Sequence, residues 1–166
     1  MKIAIVGAGI GGLTAAALLE EQGHQVKVFE KNNSINELSA GIGIGDNVLK
    51  KLGHHDLAKG IKNAGQTLTA MNIYDEQGTP LMCAKLKTHS LNVALSRQTL
   101  IEIIQSYVKE SSIHTGFKVT KIEQTSCKVT LHFIKQESES FDLCIGADGI
   151  HSVVRESVSA RTKIRY

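Results

Sequence analysis

The first thirty residues carry the clearest alternation of apolar and polar positions in the chain. Residues 2–6 read KIAIV, a β-branched run of strand length. Residues 13–22 are rich in Ala and Leu and predict a helix, which Gly23 stops. Residues 25–29 read QVKVF and predict a second strand, with Glu30 at its end. Between the first strand and the helix lies Gly7-Ala8-Gly9-Ile10-Gly11-Gly12, which fits G-x-G-x-x-G. The unit is strand–turn–helix–strand, closed by an acid 18 residues after Gly12.

That arrangement predicts dinucleotide binding. Gly7 permits the tight turn, Gly9 lets a pyrophosphate approach the backbone, and Gly12 lets the helix pack close. The helix then points its N-terminal amides at the phosphates. Glu30 is placed to accept hydrogen bonds from the adenosine ribose hydroxyls, and its charge disfavours NADP. One imitation has to be set aside. Residues 3–19 carry no charge and follow Lys2, as in a secretory signal, but four glycines interrupt them. The run is also too short to span a membrane.

The rest of the chain reads less sharply. Residues 31–38 are polar and predict a loop. Residues 39–45, SAGIGIG, carry a glycine at every second position from Gly41. They read either as a flexible loop or as an extended backbone lying flush against a flat ligand. Asp46 is a candidate N-cap for a helix over 47–52, ended by Gly53, and a second helix is expected over 56–62. Residues 68–74 and 81–86 alternate around the turn at 75–78 and predict a β-hairpin. A short strand follows over 91–95. Ser96 is placed to cap a helix over 97–109, with Arg97 in its first turn, where an anionic ligand would offset the dipole. Strands are expected over 112–115, 118–123, 128–134 and 141–145, with a turn at 138–140. The last strand runs into Gly146-Ala147-Asp148-Gly149, and a helix is expected from about Ser152.

Composition narrows the class. The 166 residues are 42% hydrophobic and 21% charged, which fits one globular domain. A net charge of +3 gives no argument for nucleic acid or a membrane surface. Cys83, Cys127 and Cys144 are far apart and read as reduced, mostly buried thiols of a cytoplasmic protein. The histidines show no metal-ligand spacing, and the adjacent His54 and His55 read as solvated surface. No catalytic side-chain constellation stands out.

Four motifs in order carry a resemblance: Gly7–Gly12 with Glu30, Ala40-Gly41-Ile42-Gly43-Ile44, Arg97-x-x-Leu100, and Gly146-Ala147-Asp148-Gly149-Ile150-His151-Ser152-x-Val154-Arg155. Together they resemble the N-terminal part of the para-hydroxybenzoate hydroxylase-like FAD-dependent aromatic monooxygenases. The resemblance implies an α/β fold: a Rossmann-like FAD-binding domain over 1–166 with a central parallel sheet and the start of a β-rich substrate layer, entered by the excursion over 68–95. It implies FAD as cofactor, NAD(P)H as transient donor and a small aromatic substrate hydroxylated with O2. By the same resemblance Gly7, Ala8, Gly9, Ile10, Gly11 and Gly12 line the pyrophosphate and Glu30 holds the ribose. Lys31 stands where the family often has Arg, keeping the charge but losing the planar fork. Arg97 would contact the phosphates or ribityl chain, the backbone around Val119 the adenine, Asp148 the central part of FAD, and Gly41 the flavin.

Family members are considerably longer and carry a later Gly-Asp motif that nothing after Arg155 resembles. The chain is therefore read as the N-terminal portion of such an enzyme, with little turnover by itself. Its hairpin is expected to leave an apolar face and a sheet edge that invite self-association. Two other readings remain at this point: a module that binds FAD or its ADP half without turnover, and an NAD-dependent dehydrogenase.

Overall fold

The computed structural model describes residues 1–35, 40–52, 56–86 and 92–159. In chain order the first elements are β1 (Lys2–Val6), α1 (Ile10–Glu21), β2 (Gln25–Glu30), β3 (Gly41–Ile44), α2 (Asp46–Lys51) and α3 (Asp56–Ala64). Then come β4 (Gln66–Thr67), β5 (Ala70–Tyr74), β6 (Pro80–Lys85), β7 (Val93–Ser96) and α4 (Arg97–Gln105). A 3-10 turn at Glu110–Ser112 leads into β8 (Ile113–Thr115), β9 (Val119–Gln124), β10 (Val129–Phe133), β11 (Glu139–Phe141), β12 (Leu143–Gly146) and α5 (Val153–Val158). These form two units, Met1–Asn36 with Ile104–Tyr166, and Glu37–Ile103. The excursion expected over 68–95 lies inside the second unit.

The first unit is built on a parallel sheet in the order β12-β1-β2-β8. Ile3 sits between Leu143 and Val26, and Val28 lies beside Ile113. Parallel strands need crossovers, and α1 supplies the one between β1 and β2 by packing on both. Strand alternation divides the apolar residues between two faces. Ala4, Val6 and Phe29 join Val119, Leu131, Phe133, Phe141 and Val154 in one buried cluster. Ile3, Ile5, Val26 and Val28, all at most 5% exposed, face the other way, where α1 places Leu13, Ala16 and Ala17.

The antiparallel sheet β11-β10-β9 covers the Phe29 face. Phe29 meets Phe133 at 4.9 Å between ring centroids and Phe141 edge-on at 5.7 Å. Burying each such ring stabilises the fold by about 2 kcal/mol. Lys2 and Lys27 reach Glu139 on β11 at 3.0 and 2.7 Å, and these bonds hold the Glu139 carboxyl below its ordinary range although its burial works the other way.

The second unit is shallower. β3, β7 and β4 form an antiparallel sheet with β7 in the middle, and β5 and β6 pair as the expected hairpin. Val93 of β7 is fully buried and sits so close to Gly65 that a Cβ there would lie 1.9 Å from its Cγ1. Leu57, Ala58 and Ile61 form the buried stripe of α3. The hairpin residues Met71, Ile73 and Tyr74 are exposed.

Several expectations need correction. The N-cap of α2 is Gly45; Asp46 lies in the first turn and pairs with Lys50 at 2.6 Å, a use of its side chain that competes with capping. α4 ends at Gln105 rather than 109, and the chain tightens through Tyr107 and Val108 into the 3-10 turn. Residues 139–141 are a strand, not a turn. Asp142 separates β11 from β12 because its carboxylate is drawn to the Lys2 amide at 2.7 Å and to Lys128 Nζ at 2.6 Å. The cysteines are not mostly buried: Cys83 and Cys127 are exposed on β6 and in the β9–β10 turn, and only Cys144 is half-buried. The expected helix stop at Gly53, the pair His54–His55, and Leu91 lie outside the described residues.

Candidate cofactor site

The site forms where the parallel strands β1, β2 and β12 end. Gly7 leaves β1 with φ +103°, a backbone region that only glycine adopts cheaply. Its amide donates to the Phe29 carbonyl of β2 at 2.8 Å, and the Ala147 amide donates to Val6 at 2.8 Å. The turn is so close to the end of β12 that a Cβ on Gly7 would lie 2.4 Å from the Ala147 carbonyl oxygen. The glycine turn and the Ala147-Asp148-Gly149 segment are therefore one packed feature.

The remaining glycines divide by what surrounds them. Gly12, in the first turn of α1, has the Gly7 carbonyl oxygen 1.9 Å from where its Cβ would be. That contact is with the turn rather than with strand side chains. At Gly9 and Gly11 a Cβ would meet nothing within 4 Å. Gly9 is the N-cap of α1, in ordinary extended backbone at φ −77°. It caps with no side chain, and the first turn of α1 holds no acid. α2 also starts on a glycine without a side-chain cap but carries Asp46 in its first turn, and the starts of α4 and α5 are capped by side chains. In α4 the Ser96 Oγ accepts from the Thr99 amide at 2.9 Å, and in α5 the Ser152 Oγ accepts from the Arg155 amide at 2.9 Å. Among the described residues, the amides of Ile10, Gly11 and Gly12 make no hydrogen bond, and the Cβ positions of Gly9 and Gly11 face open space. A helix N-terminus left this way offers its amides and positive dipole end to an anion.

Glu30 lies under the turn. Its Oε2 accepts from the Ala8 amide at 3.0 Å and its Oε1 from the Asn32 amide at 2.9 Å. Each oxygen keeps a lone pair, so the carboxylate can still accept from a diol. Lys31 beside it is exposed.

The Asp148 carboxylate is engaged within its own segment. Its Oδ1 accepts from the Ser152 hydroxyl at 2.5 Å, and its Oδ2 from the Val153 amide at 2.7 Å and more weakly from the Val154 amide at 3.4 Å. The side chain thus caps α5 jointly with Ser152, while its backbone abuts Gly7. Val119 buries its side chain in the Phe29 cluster, which leaves only its backbone for the role expected of it. In the second unit, Gly41 pairs with Ser96, and the Arg97 amide donates to the Ala40 carbonyl at 2.8 Å. Gly41 and Gly43 are exposed and open on one face of β3, with Ile42 and Ile44 on the other.

Two titratable groups of the first unit lie outside the residues expected at the site: Cys144, read from the sequence only as a buried thiol, and His114, which the sequence did not single out. Burial, and then the Asp148 charge, pushes the Cys144 thiol up to about 11. His114 stacks on Phe29 at 5.4 Å, with its Nε2 buried and without a partner among the described residues. Desolvation, then Lys27, lowers its pKa, against a smaller pull from Glu139. The signal available for His114 was its place in a strand register with Phe29, which only pairing reveals.

A family described as an FAD binding domain matches residues 1–165. The chain belongs to that family. Relatives support the assignment over nearly the whole chain. A 3-amino-4-hydroxybenzoate 2-monooxygenase of Streptomyces cremeus is 36% identical over 100% of this chain and 44% of its own. An FAD-dependent urate hydroxylase of Klebsiella pneumoniae is 33% identical over 99% of this chain and 44% of its own. The crystal structure of Klebsiella pneumoniae HpxO complexed with FAD and uric acid aligns with a TM-score of 0.86 at 32% identity, covering 99% of this chain and 43% of that one. The chain therefore spans under half the length of these relatives. As an FAD-binding domain, it presents residues that fit the cofactor: an open glycine cradle, unused helix amides for a pyrophosphate and a carboxylate below for a ribose.

Proposed function

We propose that this chain is the FAD-binding part of a monooxygenase that hydroxylates a small aromatic or heterocyclic substrate with NAD(P)H and O2. The observation that supports it most is the start of α1: uncapped, free of acid and open at Gly9 and Gly11. A bound flavin supplies the redox chemistry that amino acids lack. The protein's part is to bind and orient. Gly9, Ile10, Gly11 and Gly12 receive the pyrophosphate, Glu30 accepts from the ribose, and the Ala147–Asp148 backbone walls the turn. Arg97, Gly41, Lys31 and the Val119 backbone are proposed as further contacts, as the resemblance implies. The aromatic substrate class rests on the relatives' names.

Two subsidiary readings go with this. The free thiols of Cys83 and Cys127 support a reducing, cytoplasmic setting. No helix among the described residues is long and apolar enough to cross a membrane. Exposed Met71, Ile73 and Leu81 on the hairpin support self-association, which light scattering would detect. The main reading is tested by titrating the protein with FAD and with NADP. Tight FAD binding with flavin fluorescence quenching is expected, and tighter NADP binding would overturn it. An assay of NAD(P)H oxidation with a panel of hydroxylated aromatic acids then tests turnover.

A further inference from the structure

Two hydrogen bonds tie the glycine turn to residues 29 and 30. The Phe29 carbonyl holds the Gly7 amide at 2.8 Å, and Glu30 Oε2 holds the next amide, that of Ala8, at 3.0 Å. Glu30 is itself fixed at both ends. Its carbonyl accepts from the Phe117 amide at 2.8 Å, and its Oε1 accepts from Asn32 at 2.9 Å. The first two amides of the turn therefore face β2, and the open amides begin after them.

We infer that Glu30 is a positioning residue for the glycine turn itself. It withdraws the Ala8 amide from the ligand and fixes which amides of Gly9–Gly12 meet the phosphates. This inference rests on the FAD reading and adds to it, because a contact between Glu30 and ribose requires no such role. The chemistry separates the two. A charge-assisted bond from an amide to a carboxylate is strong and directional. A carboxylate close to a phosphate site also repels it by Coulomb's law. If Glu30 serves the ribose alone, removing it leaves pyrophosphate affinity unchanged or raises it. If Glu30 holds the turn, removing it lets Ala8 swing and lowers that affinity despite the lost repulsion.

The experiment uses inorganic pyrophosphate, which has no ribose, on the full chain and on Glu30→Ala and Glu30→Gln. Hydrogen exchange at the Ala8 amide is read alongside, in protein without ligand. In Glu30→Ala we expect Ala8 exchange to rise and pyrophosphate affinity to fall, each about tenfold, the scale of one charge-assisted bond lost at a half-buried site. Gln keeps an oxygen acceptor for Ala8 and should restore most of both. Unchanged Ala8 exchange, unchanged or raised pyrophosphate affinity in Glu30→Ala, or a Gln variant that behaves like Ala would each overturn the inference. Wild-type protein that binds pyrophosphate but not FAD would sink the flavin reading and leave the positioning role standing; wild-type protein that binds neither overturns both.

Discussion

Gly12 and Gly7 touch across the turn, with the Gly7 carbonyl oxygen 1.9 Å from the position a Gly12 Cβ would take. No side chain fits there, and the obstacle is backbone that cannot rotate away. The spacing of these two glycines is thus a packing requirement of the fold, separate from ligand binding.

That separation predicts opposite phenotypes within one motif. Gly12→Ala should unfold or grossly destabilise the chain, and Gly7→Ala should cost more than about 1–3 kcal/mol, since it combines positive φ with a 2.4 Å clash. Gly9→Val should fold normally, because Gly9 has ordinary φ and nothing within 4 Å of its Cβ. It should nonetheless lose FAD, since the branches fill the cradle. Circular dichroism with flavin fluorescence quenching reads both effects. Wild-type FAD affinity in Gly9→Val would remove Gly9 from the site.

Thiol labelling gives a second expectation. Cys83 and Cys127 are exposed, whereas Cys144 is half-buried with its thiol raised to about 11. The thiolate is the reactive form, so at neutral pH the folded protein should label quickly at two cysteines and slowly at the third. Mass spectrometry after iodoacetamide checks it, and denaturant should equalise the three. Fast labelling at Cys144 in folded protein would show that β12 opens at that edge.

Asp148 and Ser152 form a joint cap on α5, so their losses should overlap. Ser152→Ala and Asp148→Ala each remove a bond to the helix amides and should destabilise by about 1 kcal/mol. The double variant should cost less than the sum, because the 2.5 Å bond between them is counted in both singles. Urea denaturation of the three variants measures this. Strict additivity would mean that the two act on α5 separately.

The β1–α1–β2 segment was legible because its signals are local. Turn, helix and acid lie within thirty residues, and a β-branched run bounded by glycines has few alternatives. The capping of α5 by Asp148 was not legible in this way. An Asp-Gly pair ending a strand looks the same whether or not the carboxylate caps the next helix, and only the position of Ser152 shows that it does. The cysteines misled for another reason. Wide spacing in sequence speaks to redox state and not to burial, and Cys83 lies in a hairpin strand that is exposed along nearly all its length. β11 is not legible because its core residue, Phe141, reads as the start of the next strand, and nothing local shows that Asp142 breaks the two.

His114 makes the stability of the first unit depend on pH. The ring stacks on Phe29, its Nε2 is buried without a partner among the described residues, and its pKa falls below the ordinary 6.5, chiefly through desolvation. A base depressed in the folded state binds its proton more readily when unfolded. Stability should therefore be full above the unfolded value of about 6.5 and fall as pH drops through it toward the folded value. Glu139 and Asp142, also depressed, lose their contributions in a lower window, beginning near their ordinary 4.5 and 3.8. The histidine effect is thus separable between about pH 7 and 5. Thermal melts of wild type and His114→Phe across that range should diverge. The wild-type Tm should fall with pH, while the variant, which keeps the stack and cannot titrate, should fall less. Parallel curves would show that His114 accepts its proton in the folded protein as easily as in the unfolded chain, and that Phe29 does not hold it neutral.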